Sequence, residues 1–276
     1  MVFKVALVQM SVTDNKAVNI EKASKLVKES ANNGAKLVIL PECFNSPYDT
    51  ECFPKYAESV PGETTKVLSR LASENCIYII GGSIPERENN EVFNTCPVLN
   101  PSGEIVAKHR KMHLVDINVP GRLRFREADT LSPGNEFTTF ETPFCKIGIG
   151  ICYDLRFGEL ASVYSNMGCK LLVYPGAFNM VTGPAQMEPL LRGRAIDNEV
   201  YVALVSAARD QHAKYVAWGH STMVSPWGDV IATSEHGETI VYCDVQPDYV
   251  DEVRRNLPIV SQKRTDLYAC SYRKDK

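Results

Sequence analysis

The sequence of 276 residues lacks the marks of several broad protein classes. No apolar run approaches the roughly 20 residues that a membrane-spanning helix needs. Its 30 Lys and Arg residues against 33 Asp and Glu residues give a net charge of −3, without the basic excess of nucleic-acid-binding proteins. The N-terminal segment lacks the charged leader, long apolar core and cleavage site of a secretory signal. We therefore expect no membrane span, no nucleic-acid partner and no secretion.

The nine cysteines are odd in number, scattered, and never spaced Cys-x-x-Cys. This pattern argues against a disulfide framework or a thiolate zinc site and favours a reducing compartment. The five histidines form no ligand cluster with them. We expect neither a metal nor a cofactor, and a cytoplasmic location, with which a mitochondrial fraction would also be compatible.

What the sequence does contain is a series of short apolar runs rich in Val and Ile. Runs apolar on both faces and too short for helices are typical of strands buried on both sides, and they occupy residues 4–10, 36–42, 77–83, 146–152, 170–176 and 200–208. Helical periodicity separates several of them, at residues 14–34, 63–75 and 158–168. Strands that alternate with helices predict an α/β protein.

Two regions depart from this alternation. Strands follow one another without helices near residues 94–109 and again at 220–245, where the turn Pro226 to Gly228 predicts a hairpin or meander. The sheet should therefore be mixed, and an echo between the two halves suggests two stacked sheets. Since no linker divides the chain, we predict one domain over 1–276, with a core at about 4–245 and a C-terminal extension, 246–276, that begins as a charged helix.

The stretch "GIGICYDLRF" at residues 148–157 raises the question of whether its cysteine is a nucleophile. Strand alternation predicts an isoleucine face for packing and an opposite face open to another backbone or a ligand, the first made of Ile147, Ile149 and Ile151 and the second of Gly148, Gly150 and Cys152. A thiol between a strand end and a helix start would be favoured as a thiolate, with N–H groups nearby for an oxyanion. The alternative is an inert buried cysteine.

A nucleophilic thiol needs a base, and the sequence itself links no histidine to Cys152. Glu42 closes the buried run "KLVILPE", where a carboxylate is unexpected without a task or a partner. Lys111 follows the strand-like "GEIVA". Each has a plainer reading, since Glu42 could cap a turn after Pro41 and "KHRK" could be a solvated basic surface.

These segments together resemble the carbon–nitrogen hydrolase (nitrilase) superfamily, which shares a Glu, Lys, Cys triad in that order. The matching motifs are "LVILPECF", "HRKMHL" and "GIGICYDLRF", and the likeness runs from about residue 4 to 267. The resemblance implies catalytic roles for Glu42, Lys111 and Cys152, and for a second glutamate, Glu127, in "FREADTLSPG". It also implies a four-layer αββα sandwich with two stacked mixed β-sheets that forms a homodimer through its α faces.

Further segments, among them "YPGAFN", "VTGPA" and "YVAWGHSTMVSPWG", resemble the omega-amidase branch of that superfamily. This likeness implies hydrolysis of the terminal amide of 2-oxoglutaramate or 2-oxosuccinamate through a cysteine thioester. It implies an oxyanion contact from the backbone N–H of Tyr153. The implied substrate-binding residues are Tyr48, Arg156, Phe178 and Thr182. For Arg156 the alternative is a structural ion pair with Asp154 or another buried acid.

The implied proton transfer is unfavourable at ordinary pKa values. Glu near 4.3 and Cys near 8.5 differ by about 4 units, roughly 6 kcal/mol in the wrong direction. Burial must therefore raise the pKa of Glu42, and Lys111 must stabilise the thiolate. A lysine between two carboxylates, Glu42 and Glu127, would stay charged for that purpose.

The chain also departs from its presumed relatives near the pocket mouth. Where they read "GPAHWELL" it has Gln186, Met187 and the helix-breaking Pro189, and it has Asp49 where they often have Gly. Side-chain preference is therefore open, and an amidase for deaminated glutathione or a carbamoyl-amine hydrolase is the nearest alternative. A nitrile hydrolase, a metal hydrolase and a catalytically silent scaffold subunit are more distant ones.

Overall fold

The structure, a computed structural model, describes residues 1–273. The strands of this part of the chain are β1 (Phe3–Gln9), β2 (Leu37–Ile39), β3 (Tyr78–Ile80), β4 (Ile84–Glu88), β5 (Glu91–Leu99), β6 (Ile105–Arg110), β7 (Asp116–Val119), β8 (Leu123–Arg126), β9 (Thr138–Glu141), β10 (Lys146–Ile149), β11 (Leu171–Gly176), β12 (Tyr201–Ser206), β13 (Thr222–Val224), β14 (Val230–Thr233) and β15 (Thr239–Val245). The α-helices are α1 (Lys16–Asn32), α2 (Phe53–Tyr56), α3 (Glu63–Asn75), α4 (Gly158–Asn166), α5 (Gly183–Asn198) and α6 (Pro247–Asn256).

The long strands form two mixed sheets. The first has the order β15-β1-β2-β3-β5-β4, with β6 also paired to β5, and the second has the order β14-β13-β12-β11-β10-β9. The three central strands are parallel in each sheet, β1, β2 and β3 in the first and β10, β11 and β12 in the second. Their outer neighbours pair antiparallel, so the prediction of mixed sheets is confirmed.

The two sheets are stacked between layers of helices, and the alternation of side chains along β1 shows this arrangement. Val5 and Leu7 belong to a core shared with residues of the second sheet, such as Ile149. The intervening Ala6 and Val8 belong to a separate core with apolar residues of α1 and α3. Since successive strand residues point to opposite faces, β1 has the second sheet on one side and helices on the other. With α4 and α5 packed on the second sheet, this is the four-layer αββα sandwich that was predicted.

Three details differ from the sequence expectation. The strands predicted as a hairpin or meander at 220–245 belong to two different sheets. β13 and β14 form the expected antiparallel pair in the second sheet, whereas β15 pairs with β1 of the first sheet. The hairpin of β7 and β8 was not anticipated. The helical pattern predicted over 158–168 stops short, because α4 ends at Asn166 and Met167 beyond it is 37% exposed.

The C-terminal helix confirms the helical reading of residues 247–257, with Val250 and Val253 buried. The boundaries of the proposed core and extension stay a prediction, and residues 274–276 lie outside the described part of the chain. Among residues 1–273, no helix combines the length and apolar character needed to cross a membrane.

Candidate active site

The three residues of the predicted triad come from the ends of strands in both sheets. Glu42 follows β2, Lys111 directly follows β6, and Cys152 follows β10. Chain segments beyond the carboxyl ends of parallel strands converge at one edge of a sheet. All three side chains are buried, with Lys111 only 1% exposed. The structure thus brings together residues that the sequence keeps far apart.

Cys152 lies past the end of its strand, not on it. The strand stops at Ile149, and Cys152 starts a 3₁₀ helix, Cys152–Arg156, with a positive φ of 44°. A non-glycine residue in the left-handed region is uncommon and is often found where a side chain must be presented at a sharp turn. The predicted alternation therefore holds for Ile147 and Ile149 but not for the cysteine, whose direction is set by the turn.

The glycine face of that strand accommodates aromatic rings. A Cβ on Gly148 would lie 2.8 Å from the ring of Tyr164 on α4, and one on Gly150 would lie 2.5 Å from the ring of Tyr174. The expectation that this face admits a backbone or a ligand is therefore wrong. Its glycines instead let α4 and the neighbouring strand pack closely beneath the cysteine turn.

Lys111 stands between two carboxylates. Its Nζ lies 2.9 Å from Oε1 of Glu42 and 2.9 Å from Oε1 of Glu127, and all three side chains are shielded from solvent. A buried lysine keeps its charge only when anions offset the loss of hydration. This arrangement agrees with the sequence expectation that Lys111 is held by two glutamates.

Further hydrogen bonds fix the two glutamates. Asn94 on β5 donates to Glu42 Oε1 at 2.8 Å, and the Tyr48 hydroxyl donates to Glu127 Oε1 at 2.6 Å. The N–H of Val115 donates to Glu127 Oε2 at 2.7 Å. Glu42 Oε2 is buried and has no hydrogen-bond partner among residues 1–273. Glu127 therefore accepts hydrogen bonds on both carboxylate oxygens, whereas Glu42 accepts them on Oε1 and keeps Oε2 free.

The pKa of Glu42 is shifted in the direction that proton transfer requires, whereas the pKa of Cys152 is shifted in the opposite direction. Burial raises the pKa of Glu42, with Lys111 opposing this and Glu127 adding to it. Burial lowers the pKa of Lys111, but the charges of Glu127 and Glu42 outweigh it and keep that pKa well above the usual value. Burial and the charge of Glu42 raise the pKa of the Cys152 thiol, against Lys111. The resting site therefore holds a neutral thiol beside a cation.

One backbone N–H contacts the sulfur. The N–H of Ala177, just after β11, donates to Cys152 Sγ at 3.3 Å. Tyr153 is the second residue of the 3₁₀ helix, and the first N–H groups of a helix have no carbonyl partner within it. The N–H of Tyr153, on the residue that follows Cys152, therefore has no helical partner.

A small pocket opens over the cysteine. It is lined by Val115, Ile117, Cys152, Tyr153, Arg156, Ala177, Phe178, Asn179, Thr182 and Tyr215. Three of the four predicted substrate-binding residues, Arg156, Phe178 and Thr182, are among them. The fourth, Tyr48, lies behind the pocket, where its ring packs on Tyr215 with centroids 4.6 Å apart.

Arg156 makes no pair with Asp154, so that alternative is wrong. Its Nη1 donates to Oε1 of Gln186 at 2.6 Å. Its guanidinium carbon lies 5.0 Å from the ring centroid of Phe178, and no Asp or Glu oxygen of the described residues comes within 4.0 Å of its nitrogens. The arginine is thus a cation without an anion, at the pocket that contains the cysteine.

Asp154 instead joins two segments of the site through hydrogen bonds, a role that the sequence analysis did not predict. Its Oδ1 accepts from both the N–H and Nδ1 of His113, and its Oδ2 accepts from the N–H of Ile151. His109 Nε2 lies 3.3 Å from Oδ2. One buried carboxylate therefore ties the turn before Cys152 to the loop that follows Lys111.

Tyr215 is a second residue that the sequence did not reveal. Its hydroxyl donates to the carbonyl of Ala177 at 2.6 Å, and the N–H of the same Ala177 donates to the cysteine sulfur. Its half-buried ring packs against the rings of Tyr48 and Phe125. A tyrosine in the loop "AKYVAW" carries no local signal, because its partners come from distant segments.

The unusual residues at the pocket mouth have distinct environments. Gln186 is exposed in the first turn of α5, and Met187 is buried in the core. Pro189 is an exposed residue inside α5, where its missing N–H removes one helical hydrogen bond. Asp49 forms an ion pair with Lys214 at 2.8 Å. Of these four, Gln186 forms a side-chain hydrogen bond with a predicted substrate-binding residue, Arg156.

Comparison with known proteins supports the same assignment. The carbon–nitrogen hydrolase family matches residues 4–255. The chain belongs to this family. It is 57% identical to a protein of Xenopus tropicalis named omega-amidase NIT2, and 54% identical to the human protein of that name, over 99% of each chain in both comparisons. The resemblance proposed from the three motifs is thereby confirmed.

Solved structures of carbon–nitrogen hydrolases share the fold. The crystal structure of Saccharomyces cerevisiae Nit3, described as a member of branch 10 of the nitrilase superfamily, has a TM-score of 0.87 and 40% identity, over 95% of this chain and 97% of that one. The Caenorhabditis elegans NitFhit protein has a TM-score of 0.89 and 28% identity, over 100% of this chain and 68% of that one. The sandwich is therefore common to the family.

Proposed function

We propose that this carbon–nitrogen hydrolase is an omega-amidase that releases ammonia from the terminal amide of 2-oxoglutaramate or 2-oxosuccinamate. Full-length relatives named omega-amidase, 54–57% identical, support this activity. The observation that carries the substrate class is Arg156, a cation at the pocket of Cys152 that has no carboxylate partner among residues 1–273. A substrate that has a carboxylate at one end and an amide at the other fits these two groups.

In the proposed first step, Glu42 takes the proton of the Cys152 thiol and the thiolate attacks the amide carbon. The oxygen becomes an oxyanion, which the Nζ of Lys111 and the N–H of Tyr153 stabilise. Glu42 returns the proton to the nitrogen, and the carbon–nitrogen bond breaks to release ammonia. The free Oε2 of Glu42 supports this role, because a base needs an oxygen that no other donor occupies.

The thioester that remains is hydrolysed by water. Glu42 takes one proton of the water while the water oxygen attacks the thioester carbon. The carbon–sulfur bond then breaks, and Glu42 returns the proton to the sulfur. The products are the dicarboxylic oxo acid and the regenerated thiol. Lys111 keeps its charge throughout because Glu127 stays beside it, so its cation is available to both tetrahedral intermediates.

The guanidinium of Arg156 suits the other end of the substrate. A planar fork of N–H donors matches the two oxygens of a carboxylate better than the single ammonium of a lysine does. Phe178 and Tyr153 lie beside the guanidinium, with ring centroids 5.0 and 5.4 Å from its central carbon. Their rings limit hydration of the arginine and so strengthen its attraction for an anion.

The same proposal covers assembly and location. Exposed apolar side chains on the helical face of the second sheet, including Ile196 and the nearby Trp227, support a homodimer formed through α faces. Nine unpaired cysteines support a reducing compartment, and we place the protein in the cytoplasm.

The decisive measurement is ammonia release from 2-oxoglutaramate, glutamine and deaminated glutathione. We expect 2-oxoglutaramate to have the highest kcat/KM. The variant Cys152→Ala should lose activity by at least about 10³-fold, since it removes the nucleophile. Cys76→Ala, a change at an exposed cysteine, is the matched control and should retain activity.

Each part of the proposal can fail separately. Activity that survives in Cys152→Ala would contradict the nucleophile. A preference for deaminated glutathione would replace the omega-amidase activity and leave the mechanism intact. Arg156→Lys, which keeps the charge and loses the fork, should raise KM about 10-fold with a smaller change in kcat.

A further inference from the structure

Gln186 lies beside the predicted substrate-binding arginine. It is in the first turn of α5, where its N–H donates to the carbonyl of Thr182 at 3.0 Å. Residues four apart on a helix share a face, so Gln186 and the pocket residue Thr182 lie on the same side of α5. The side chain of Gln186 accepts a hydrogen bond from Arg156 Nη1 at 2.6 Å.

This contact orients the guanidinium without neutralising it. Arginine has five N–H donors, and the contact with Gln186 uses one of the two on Nη1. A neutral amide oxygen leaves the positive charge of Arg156 unpaired, whereas a carboxylate in its place would form an ion pair. The remaining edge of the guanidinium therefore stays available for an anionic ligand.

The amide nitrogen of Gln186 is also available. Its oxygen is occupied by Arg156, and its Nε2 donates to no residue within 1–273. A primary amide has two N–H donors on that nitrogen. Arg156, which lines the pocket, and Gln186 beside it thus present a cation and a neutral donor side by side, a combination that can bind both oxygens of one carboxylate.

We propose that Gln186 is a specificity-determining residue that selects amide substrates with a second, distal carboxylate. It holds Arg156 in place and adds an N–H donor to the same carboxylate. This inference rests on the proposed omega-amidase function and extends it to a residue outside the motifs that carry the family resemblance, at a position where the chain departs from the "GPAHWELL" pattern. Neighbouring Met187, which points into the core, makes no such contribution.

The test is Gln186→Glu, assayed on 2-oxoglutaramate and on hexanamide, a neutral amide that has no carboxylate. The new carboxylate would pair with Arg156 and repel the substrate's own. We expect KM for 2-oxoglutaramate to rise about 10- to 100-fold, as for the loss of a hydrogen bond to a charged group. The ratio of kcat/KM for 2-oxoglutaramate to that for hexanamide should fall at least 10-fold.

Two further variants separate the effect of an added negative charge from the effect of losing the hydrogen bonds of Gln186. Gln186→Leu is neutral and loses both hydrogen-bonding functions, so KM for 2-oxoglutaramate should rise less, by about 3- to 10-fold. Gln262→Glu introduces the same charge at another exposed glutamine, in the C-terminal extension, and should leave KM within about 2-fold. Circular dichroism of each variant checks the fold.

The outcomes distinguish this inference from the function on which it rests. Wild-type protein without activity on 2-oxoglutaramate would overturn the proposed function together with the inference. An active wild type with an unchanged substrate ratio in Gln186→Glu would overturn the inference alone. Equal losses on both substrates would also overturn it, because they would indicate a structural effect on the chemistry.

Discussion

At the scale of single residues, the buried Glu42 should govern how activity depends on pH. Burial raises its pKa above the ordinary 4.5, and the base must be deprotonated to take the thiol proton. We therefore expect kcat/KM to fall as the pH drops through a value above 4.5. The raised pKa of Cys152 keeps the thiol protonated beyond its ordinary 9.0, so activity should persist on the alkaline side. Initial rates from pH 4.5 to 10 measure both limbs.

Glu127 provides a directional test of the same assignment. Its negative charge raises the pKa of Glu42, so Glu127→Gln should move the acid limb of the residual activity to lower pH. Glu127→Asp keeps the charge and should leave the limb nearer to the wild-type position. An acid limb that stays in place or moves upward in Glu127→Gln would show that a group other than Glu42 controls it.

Asp154 should contribute to stability as well as to the position of the site. Its buried carboxylate accepts four hydrogen bonds, and these outweigh burial and lower its pKa. Asp154→Asn should reduce the free energy of unfolding by about 2–3 kcal/mol at pH 7, since at least one donor loses its acceptor. kcat should fall too, because the carboxylate joins the segments of Cys152 and Lys111.

The pH dependence of that stability has a defined sign. A depressed folded-state pKa stabilises the fold above the unfolded pKa of an aspartate, and this stabilisation is lost as the pH falls toward the folded value. Urea unfolding at pH 7 and at pH 3 should therefore show a smaller loss of stability on acidification in Asp154→Asn than in the wild type. Asp197→Asn, at an exposed helix position, is the control and should stay within about 0.5 kcal/mol.

The sequence revealed the charged residues of the site but not the residues that hold them. Glu42 and Lys111 were noticeable because a charge at the end of a buried strand is unusual, and the family resemblance completed the set. Asp154 stands in "CYDLRF", where an aspartate looks like an ordinary turn residue. Its importance arises from partners 41 and 45 residues away, which no local pattern encodes.

At the scale of elements, the turn that presents Cys152 depends on glycine. A Cβ on Gly150 would lie 2.5 Å from the buried ring of Tyr174, so Gly150→Ala must displace either the ring or the turn. We expect about 1–3 kcal/mol of destabilisation and a reduced kcat. Thermal unfolding and ammonia release measure the two effects.

Gly193 is the matched control for that change. It lies in α5, and an added Cβ would meet no other atom within 4 Å. Gly193→Ala should therefore stabilise the protein by about 0.5–1 kcal/mol through helix propensity, with kcat unchanged. Equal behaviour of the two variants would mean that the close contact beneath Cys152 carries no strain.

The sequence predicted those strands and helices that have a strong hydrophobic pattern, and it missed those that are too short to show one. The buried runs at β1, β11 and β12 and the amphipathic helices α1 and α3 were all anticipated. The hairpin of β7 and β8 was not, because each of its strands has only four residues and lacks an apolar run. Glu127 directly follows this hairpin, so the placement of that glutamate could not be derived from local pattern.

At the scale of the whole molecule, the stacking of two sheets was suggested by the sequence but the path of the chain was not. An apolar run shows that a strand is buried, without showing which sheet it joins. The end of β14 and the start of β15 are separated by only a short loop, yet the strands belong to different sheets. Pairing between distant segments, here β15 with β1, depends on the complete fold.

The proposed homodimer gives a prediction at this largest scale. Ile196 on α5 is 41% exposed, and it lies next to the turn of Trp227, since a Cβ on Gly228 would be 2.7 Å from its side chain. In a two-fold symmetric dimer each substitution acts twice. Burying an aspartate in place of isoleucine at such an interface should therefore cost about 3 kcal/mol or more, which weakens the dimer at least 100-fold.

Sedimentation velocity at micromolar concentration can detect that change, with Ile196→Asp expected to sediment as a monomer and the wild type as a dimer. Val18→Asp is the matched control, because Val18 is equally exposed, at 44%, on α1 of the opposite helical layer. If only Val18→Asp dissociates the dimer, the interface lies on the layer of α1 and α3. If both variants remain dimeric, neither exposed apolar position is central to the contact, and the face formed by α5 and the Trp227 turn is excluded as its core.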